Sequence, residues 1–433
     1  MFAIYEEAVE YLFGRLPMYQ SIGKAAYKAD LKTPEALDKY FGHPHRKFMS
    51  IHVAGTNGKG SVSHILAAIL QAAGYTVGLY TSPHLKDFRE RIKINGTPVF
   101  PADILSFVNE HYTWIEKSHA SFFEMTTALA FDYFARRQVD IAVVETGMGG
   151  RLDATNIIHP ALSVITNIGL DHTEHLGSTL EAIAREKAGI IKRRTPVVIG
   201  EVLPETEHVF RETAKKQKAP LLLAKDCVHV APDGVYGQRQ HFIVKFAGAS
   251  LAALRVAVDL LGEYQQYNVQ TALAALETLR SLPCPMAIPT GNLLYGMEHA
   301  ARLTGLRGRW EILEHNPLVI CDTGHNADGL QYSLKQLAET PHHRLHIVFG
   351  VVTGKDLPAI LSLLPRDALY YFTQADLPRA LDAANLAAQC NAAGLHGEIV
   401  PSVREALFLA KNRATADDVI FVGGSNFVVA EVI

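Results

Sequence analysis

Nine short, almost wholly apolar runs recur along the chain, separated by stretches of helical periodicity. The runs are Phe48 to Ala54, Tyr75 to Thr81, Asp140 to Glu145, Ala161 to Asn167, Pro196 to Ile199, Leu318 to Asp322, Leu345 to Gly350, Leu369 to Thr373 and Asp418 to Gly423. A strand with one wet face alternates polar and apolar residues. A strand covered by helices on both faces has no solvent side and stays apolar throughout. The pattern therefore predicts an α/β protein built on mostly parallel sheets. The rhythm is interrupted around Ser281 to Gly296, which holds Pro283, Pro285, Pro289, Gly291 and Gly296, and it restarts at Leu318. This predicts a large N-terminal domain over 1–305 and a smaller C-terminal α/β domain over 306–433.

Composition narrows the class. Lys and Arg total 41 against 44 Asp and Glu, a net charge of −3, whereas a dedicated nucleic-acid binder shows a basic excess. Cys227, Cys284, Cys321 and Cys390 form no Cys-x-x-Cys pair, which argues against a disulfide scaffold or zinc knuckle and fits a reducing compartment. No apolar run approaches the ~18 residues of a membrane span. The start, MFAIYEEAVEYLFGR, lacks the basic stretch and apolar core of a signal peptide. The expectation is a cytoplasmic enzyme without nucleic-acid or membrane partners.

One segment carries a chemical signature. His52-Val-Ala-Gly55-Thr-Asn57-Gly58-Lys59-Gly60-Ser61 joins an apolar strand to the helical stretch from Val62 to Leu70, which Gly74 ends. Glycines let the backbone amides turn inward on an anion, and the helix adds its positive end. Lys59 would meet the β- and γ-phosphates of ATP, and Ser61 would offer a hydroxyl to Mg²⁺. The usual spacing is altered: position 53 is Val, and Gly60 stands between Lys59 and Ser61. A glycine-rich turn without a ligand is the plainer alternative.

Three further segments extend the pattern. The run Asp140 to Glu145 ends in a carboxylate at a strand tip, where phosphoryl-transfer enzymes hold Mg²⁺. The run ending at Asn167 leads into Leu170-Asp171-His172-Thr173-Glu174-His175, a place where open α/β sheets bind ligands. His172 is a candidate ligand of a second metal. The His-x-x-His spacing also allows zinc, but an ATP loop favours Mg²⁺. Lys187, in Arg185-Glu186-Lys187-Ala188-Gly189, reads from spacing alone as a cation complementing a helix C-terminus, worth ~0.3–1 kcal/mol.

Read in order, AGTNGKGS, TSPHL, ERIKING, ETGMGGRLDATN, LDHTEHLG, REKAGI and DTGHN form an ordered set. The chain closely resembles the folylpolyglutamate synthase/dihydrofolate synthase family, within the Mur-type ATP-dependent ligases, from about Tyr5 to Glu431. The resemblance implies an N-terminal P-loop ATPase domain and a Rossmann-like C-terminal domain. It also implies addition of L-glutamate to dihydropteroate, to the glutamate tail of tetrahydrofolate, or to both. Asn57, Gly58, Lys59, Gly60 and Ser61 look like the ATP cradle, and Asn268 and Arg309 look like further ATP contacts. Ser61, Ser82 and Glu145 look like Mg²⁺ ligands, and His172 like a ligand of a second Mg²⁺. Lys187 matches a lysine carbamylated by CO₂ in this family, a role that replaces the helix-dipole reading. Ser121, Phe122, Phe123, Glu124, Leu152, Asp153 and Ala154 match segments lining the pterin-bearing substrate. Asp322 and His325 match a catalytic pair of the C-terminal domain, with Asp322 also facing the nucleotide, and Ser425 matches a serine linked to activity. The chain departs from the family's usual pattern at Ala327, in the Gly-Ser-Asn-Phe-Val-Val stretch from Gly424, and around Ser121.

These roles compose a mechanism. Amide formation from a carboxylate and an ammonium is uphill in water. Phosphorylation by ATP gives an acyl phosphate that the glutamate amine attacks, and closure of the second domain would keep water out. A monomer is expected. A peptidoglycan-precursor ligase shares the central motifs but would carry a nucleotide-sugar domain ahead of the phosphate loop. The stretch before Gly55 reads instead as a helix, a loop from Pro17 to Tyr27 and a second helix. A GTPase would need an Asn-Lys-x-Asp stretch, which is absent. A non-catalytic nucleotide-binding protein has no reason to keep Lys59, Glu145, His172 and Lys187 together.

Overall fold

The computed structural model describes residues 1–18, 30–248, 253–283 and 285–433. Residues 19–27 of the expected Pro17 to Tyr27 loop, and Cys284, lie outside the described residues. The chain forms two compact units. The first comprises Met1–Asp259 and Gln266–Leu306; the second comprises Leu260–Gln265 and Arg307–Ile433. Nothing in the composition signalled that residues 260–265 belong with the C-terminal part.

The first unit is built on an eight-stranded sheet. Its strands are β1 (Met49–Ala54), β2 (Val77–Tyr80), β3 (Ile92–Ile94), β4 (Thr97–Pro98), β5 (Ile141–Glu145), β6 (Leu162–Ile165), β7 (Val197–Ile199) and β8 (Leu221–Leu223), in the order β4-β3-β2-β5-β1-β6-β7-β8. From β2 to β8 all pairings are parallel, and β3 and β4 add an antiparallel edge. Every residue of β2, β5, β6 and β7 is buried, the physical reason for their unbroken apolar sequences. Register pairs Val53 of β1 with Glu145 of β5, so the glycine loop and the Glu145 carboxylate leave the same edge of the sheet.

The helix Lys59–Ala72 lies on this sheet with Ser61 to Leu70 all buried. Burying Val62, Ile65, Leu66, Ile69 and Leu70 contributes about 1.5–3 kcal/mol each before chain entropy is counted. Its outer side is covered by the helix Thr290–Glu298, where a Cβ on Gly296 would stand 2.5 Å from Ile69 Cα. An aromatic core including Phe107, Phe131 and Phe134 fills the other flank. A three-stranded antiparallel sheet, β9 (Val228–Tyr236), β10 (Arg239–Phe246) and β11 (Leu254–Val258), completes the unit.

The second unit holds a six-stranded sheet in the order β12-β13-β17-β14-β15-β16. The strands are β12 (Glu311–His315), β13 (Leu318–Cys321), β14 (Leu345–Phe349), β15 (Leu369–Gln374), β16 (Gly397–Ser402) and β17 (Val419–Gly423). Only β12 runs antiparallel to its neighbour. No helix among the described residues is long and apolar enough to cross a membrane.

Candidate active site

The phosphate loop is held from β6. Thr166 Oγ1 donates to Asn57 O at 2.5 Å, Asn57 N to Asn167 Oδ1 at 2.8 Å, and Gly169 N to Thr56 Oγ1 at 2.9 Å. Gly58 caps the following helix at φ 82°, and a Cβ there would stand 2.2 Å from Asn268 Oδ1. Only glycine meets both conditions. The structure thus brings Asn268 onto the loop from 210 residues away in sequence. Ser61, in the first turn of the helix, is 1% exposed.

Two lysines converge on one carbonyl. Lys59 Nζ donates to Gly55 O at 3.0 Å and to Thr56 O at 3.1 Å. Lys187 Nζ donates to the same Gly55 O at 2.7 Å. Lys187 is buried in the helix Leu180–Ala188, and burial first, then repulsion from Lys59, lowers its pKa to about 7. Asp171 and Asp153 pull the other way. Spacing suggested a cation complementing the helix dipole, but the contact to Gly55 spans 132 residues and could not appear in any local pattern.

The Glu145 carboxylate, 3% exposed, accepts Ser82 N at 3.2 Å on Oε2. His172 adopts left-handed backbone (φ 51°) at the start of the turn Thr173–Leu176; its amide donates to Asp171 Oδ1 at 2.8 Å. Among the described residues, no group of three or more His, Cys, Asp and Glu side chains is arranged to hold a metal by itself. The zinc reading of His172 and His175 therefore lacks its ligand set. Mg²⁺ needs no such cage, since it keeps waters and takes substrate phosphates beside one or two protein oxygens. Buried Glu145, Ser82 and Ser61 suit that demand, and the glycine cradle suits a triphosphate.

The expected substrate segments are placed by their own capping chemistry. Ser121 and Glu124 form a capping box on the helix Phe122–Arg136: Ser121 N donates to Glu124 Oε2 at 2.6 Å and Glu124 N to Ser121 Oγ at 3.3 Å. The Phe123 ring lies so close to Gly147 that a Cβ there would stand 2.6 Å from it. Phe122 stacks on Phe13 at 5.0 Å. Leu152 is half-buried, while Asp153 and Ala154 are buried. Asp153 accepts four bonds, from Gly147 N, Met148 N, Thr155 N and Thr155 Oγ1 at 2.5–3.0 Å. Burial still pushes its pKa up. His52 supports this network: its Nε2 lies 2.8 Å from Thr155 Oγ1, which is already donating, so Nε2 carries the proton. Burial lowers the His52 pKa to about 3 and keeps the ring neutral. Sequence reading passed over His52 because it lies inside an apolar run.

In the second unit, Asp322 directly follows β13 and is 2% exposed. Its Oδ2 accepts Tyr264 OH at 2.6 Å and Trp310 N at 2.8 Å; its Oδ1 accepts Gly324 N at 2.8 Å and Ser333 Oγ at 3.0 Å. Burial, then the neighbouring Asp322 charge, drives the Tyr264 pKa well above the usual phenol value. Arg309 Nη1 donates to Gly308 O at 3.4 Å, and His325 Nδ1 donates to Thr323 O at 3.1 Å. Ser425, after the strand β17, caps the helix Asn426–Ala430 by accepting Phe427 N at 3.2 Å. Asp322 and Ser425 therefore share the strand-end edge where such sheets bind ligands.

Residues 53–276 match the Mur ligase middle domain, and residues 308–426 match the glutamate ligase domain of Mur ligases. Fold and site together define an ATP-dependent ligase of the Mur type. The chain is 34% identical over 403 residues to the dihydrofolate synthase/folylpolyglutamate synthase of Bacillus subtilis, covering 89% of each protein. The structure of Escherichia coli FolC in complex with DHPP and ADP is similar at a TM-score of 0.84 and 30% identity, over 99% of this chain and 97% of that one. A bifunctional folylpolyglutamate synthase/dihydrofolate synthase from Yersinia pestis, complexed with AMPPNP and Mn, is similar at 0.83 and 28% identity, over 99% and 97%. The chain belongs to the folylpolyglutamate synthase/dihydrofolate synthase family.

Proposed function

We propose that this enzyme joins L-glutamate to a pterin-bearing acid, using ATP to convert the acid's carboxylate into an acyl phosphate. Both dihydropteroate and the glutamate tail of tetrahydrofolate are assigned as acids. The observation that carries the reading is the convergence of Lys59 and Lys187 on Gly55 O beside the buried Glu145 tip.

The roles follow from the chemistry of each group. The amides of the loop from Asn57 to Gly60 and the Lys59 ammonium offset the charge of the phosphates as the carboxylate approaches. Ser61, Ser82 and Glu145 would hold one Mg²⁺, and His172 with a carbamate on Lys187 a second. Bound Mg²⁺ supplies positive charge to the phosphate and carboxylate oxygens. A pKa of about 7 leaves a large share of Lys187 as the free amine near neutral pH. That amine can attack CO₂, forming an N–C bond and releasing one proton, and the buried cation becomes an anion. Ser121, Phe122, Phe123, Glu124, Leu152, Asp153 and Ala154 are assigned to the pterin side. Asn268, Arg309 and Asp322 are assigned to the nucleotide, and His325 and Ser425 to the glutamate-ligating half. The near-balanced net charge of −3 and the scattered cysteines support small-molecule substrates and a reducing compartment, and the enzyme is assigned as a cytoplasmic monomer on the family resemblance.

Incubation with ATP, L-glutamate and either dihydropteroate or tetrahydrofolate should yield products one glutamyl residue heavier, measured by mass spectrometry. ATP turnover that ignores glutamate, or no turnover with either acid, would overturn the assignment. Lys59→Ala and His172→Ala should each abolish ligation while leaving the melting temperature and circular dichroism near those of the parent.

A further inference from the structure

Arg91 is a buried cation that forms no ion pair among the described residues. It ends the turn Phe88–Arg91 that leads into β3, and it is 3% exposed. Its Nε donates to His84 Nδ1 at 2.7 Å, and its guanidinium carbon sits 5.4 Å from the centre of the Phe122 ring. Phe13 and Phe88 pack around His84 and Phe122. Among the described residues, no carboxylate makes an ion pair with Arg91. The two nearby candidates are engaged otherwise. Glu90 accepts the amides of Leu85, Lys86 and Asp87, and Glu145 accepts Ser82 N.

An aromatic face attracts a guanidinium but satisfies none of the donors along its edge. The His84 bond uses one of five N–H groups, and neither Nη has a hydrogen-bond partner among the described residues. A fork of this shape is the group best suited to grip a planar carboxylate with two parallel bonds. His84 fixes its direction. Because Nδ1 accepts from Arg91, it carries no proton, so the ring aims the fork without adding a second donor there. The setting identifies the ligand. Ile92, next to Arg91, pairs with Tyr80 of β2, and Tyr80 pairs with Val144 of β5, one residue before Glu145, while Phe122 under the guanidinium belongs to the expected acid-binding segment.

We propose that Arg91 binds the reacting carboxylate of the acid substrate, with His84 as its positioning residue. The inference rests on the proposed ligase reading and adds a group not drawn from any phosphate, metal or pterin motif. Its task is to cancel the charge of the incoming acid where that acid meets the triphosphate.

The test uses the full chain, with dihydropteroate and the same molecule lacking its carboxylate as probes. Equilibrium titration of Arg91→Met should show roughly 30-fold weaker binding of the acid, with the decarboxylated probe within about twofold of the parent. KM for ATP and for L-glutamate should stay unchanged. His84→Gln, which keeps an acceptor, should retain the acid affinity that His84→Phe loses. Equal weakening of both probes, weakening of neither, or a raised KM for ATP would overturn the proposal. If Arg91→Met fails to fold, Arg91→Lys decides: it must lose preference for the acid over the decarboxylated probe, and an unchanged preference overturns the proposal. A parent enzyme that forms no glutamyl product would instead sink the ligase reading, so the two failures are distinguishable.

Discussion

Lys187→Met is expected to abolish ligation and, in metal-free buffer depleted of CO₂, to make the protein harder to unfold below pH 7. The sign follows from linkage. The folded-state pKa of about 7 lies below the ordinary 10.5, so folding opposes protonation of this amine. Below pH 7 the lysine is protonated in both states and the full penalty of burying the cation applies. Between pH 7 and 10.5 the unfolded chain still binds the proton and the folded one does not, so stability recovers as pH rises. Above 10.5 the penalty is gone. The gap corresponds to an upper bound on the order of 5 kcal/mol. Urea titrations from pH 6 to 10 should show the stability advantage of the Met variant shrinking steadily. Bicarbonate added at fixed pH should stabilise the parent and leave the variant unmoved, because a carbamate is a ligand of the folded amine alone. An advantage independent of pH would mean that Lys187 is not buried as a reluctant cation.

Asp322→Ala should destabilise the second unit by about 3–5 kcal/mol, apart from any loss of activity. Four donors would lose their acceptor: Tyr264 OH, the Trp310 and Gly324 amides, and Ser333 Oγ. Stranding several buried donors at once costs far more than one surface bond. Trp310, 4% exposed, is the natural probe, read by urea-induced fluorescence change in a Trp114→Phe background. Tyr264→Phe removes one donor and should cost about 1 kcal/mol. An unchanged midpoint in Asp322→Ala would reduce this aspartate to a ligand contact alone.

How much of this was legible in the sequence depended on the range of each interaction. The nine apolar runs all became strands, because strands buried on both faces need no polar positions. The same filter passed over β9 and β10, whose buried and exposed residues alternate. It also passed over the β3–β4 hairpin, although Asn95-Gly96 is the pair a tight turn favours and both residues have positive φ. The phosphate loop was readable because its parts are contiguous. Asp322 was readable as a motif residue, but its partners Tyr264 and Ser333 lie 58 and 11 residues away, and nothing local announces them. Arg91 and His84 sat inside two quoted motifs, yet only the burial of Arg91 with no ion pair among the described residues, and its bond to His84, mark them.

The passage of residues 260–265 into the second unit has a practical corollary for dissecting the gene. A fragment starting at Arg307 discards Tyr264 and the Leu261 carbonyl that accepts from Gln336. A chimera spliced at that point would pair one parent's tyrosine with another parent's aspartate. Neither half is a detachable cassette, and recombination between relatives that respects the architecture must exchange the hexapeptide together with the C-terminal lobe.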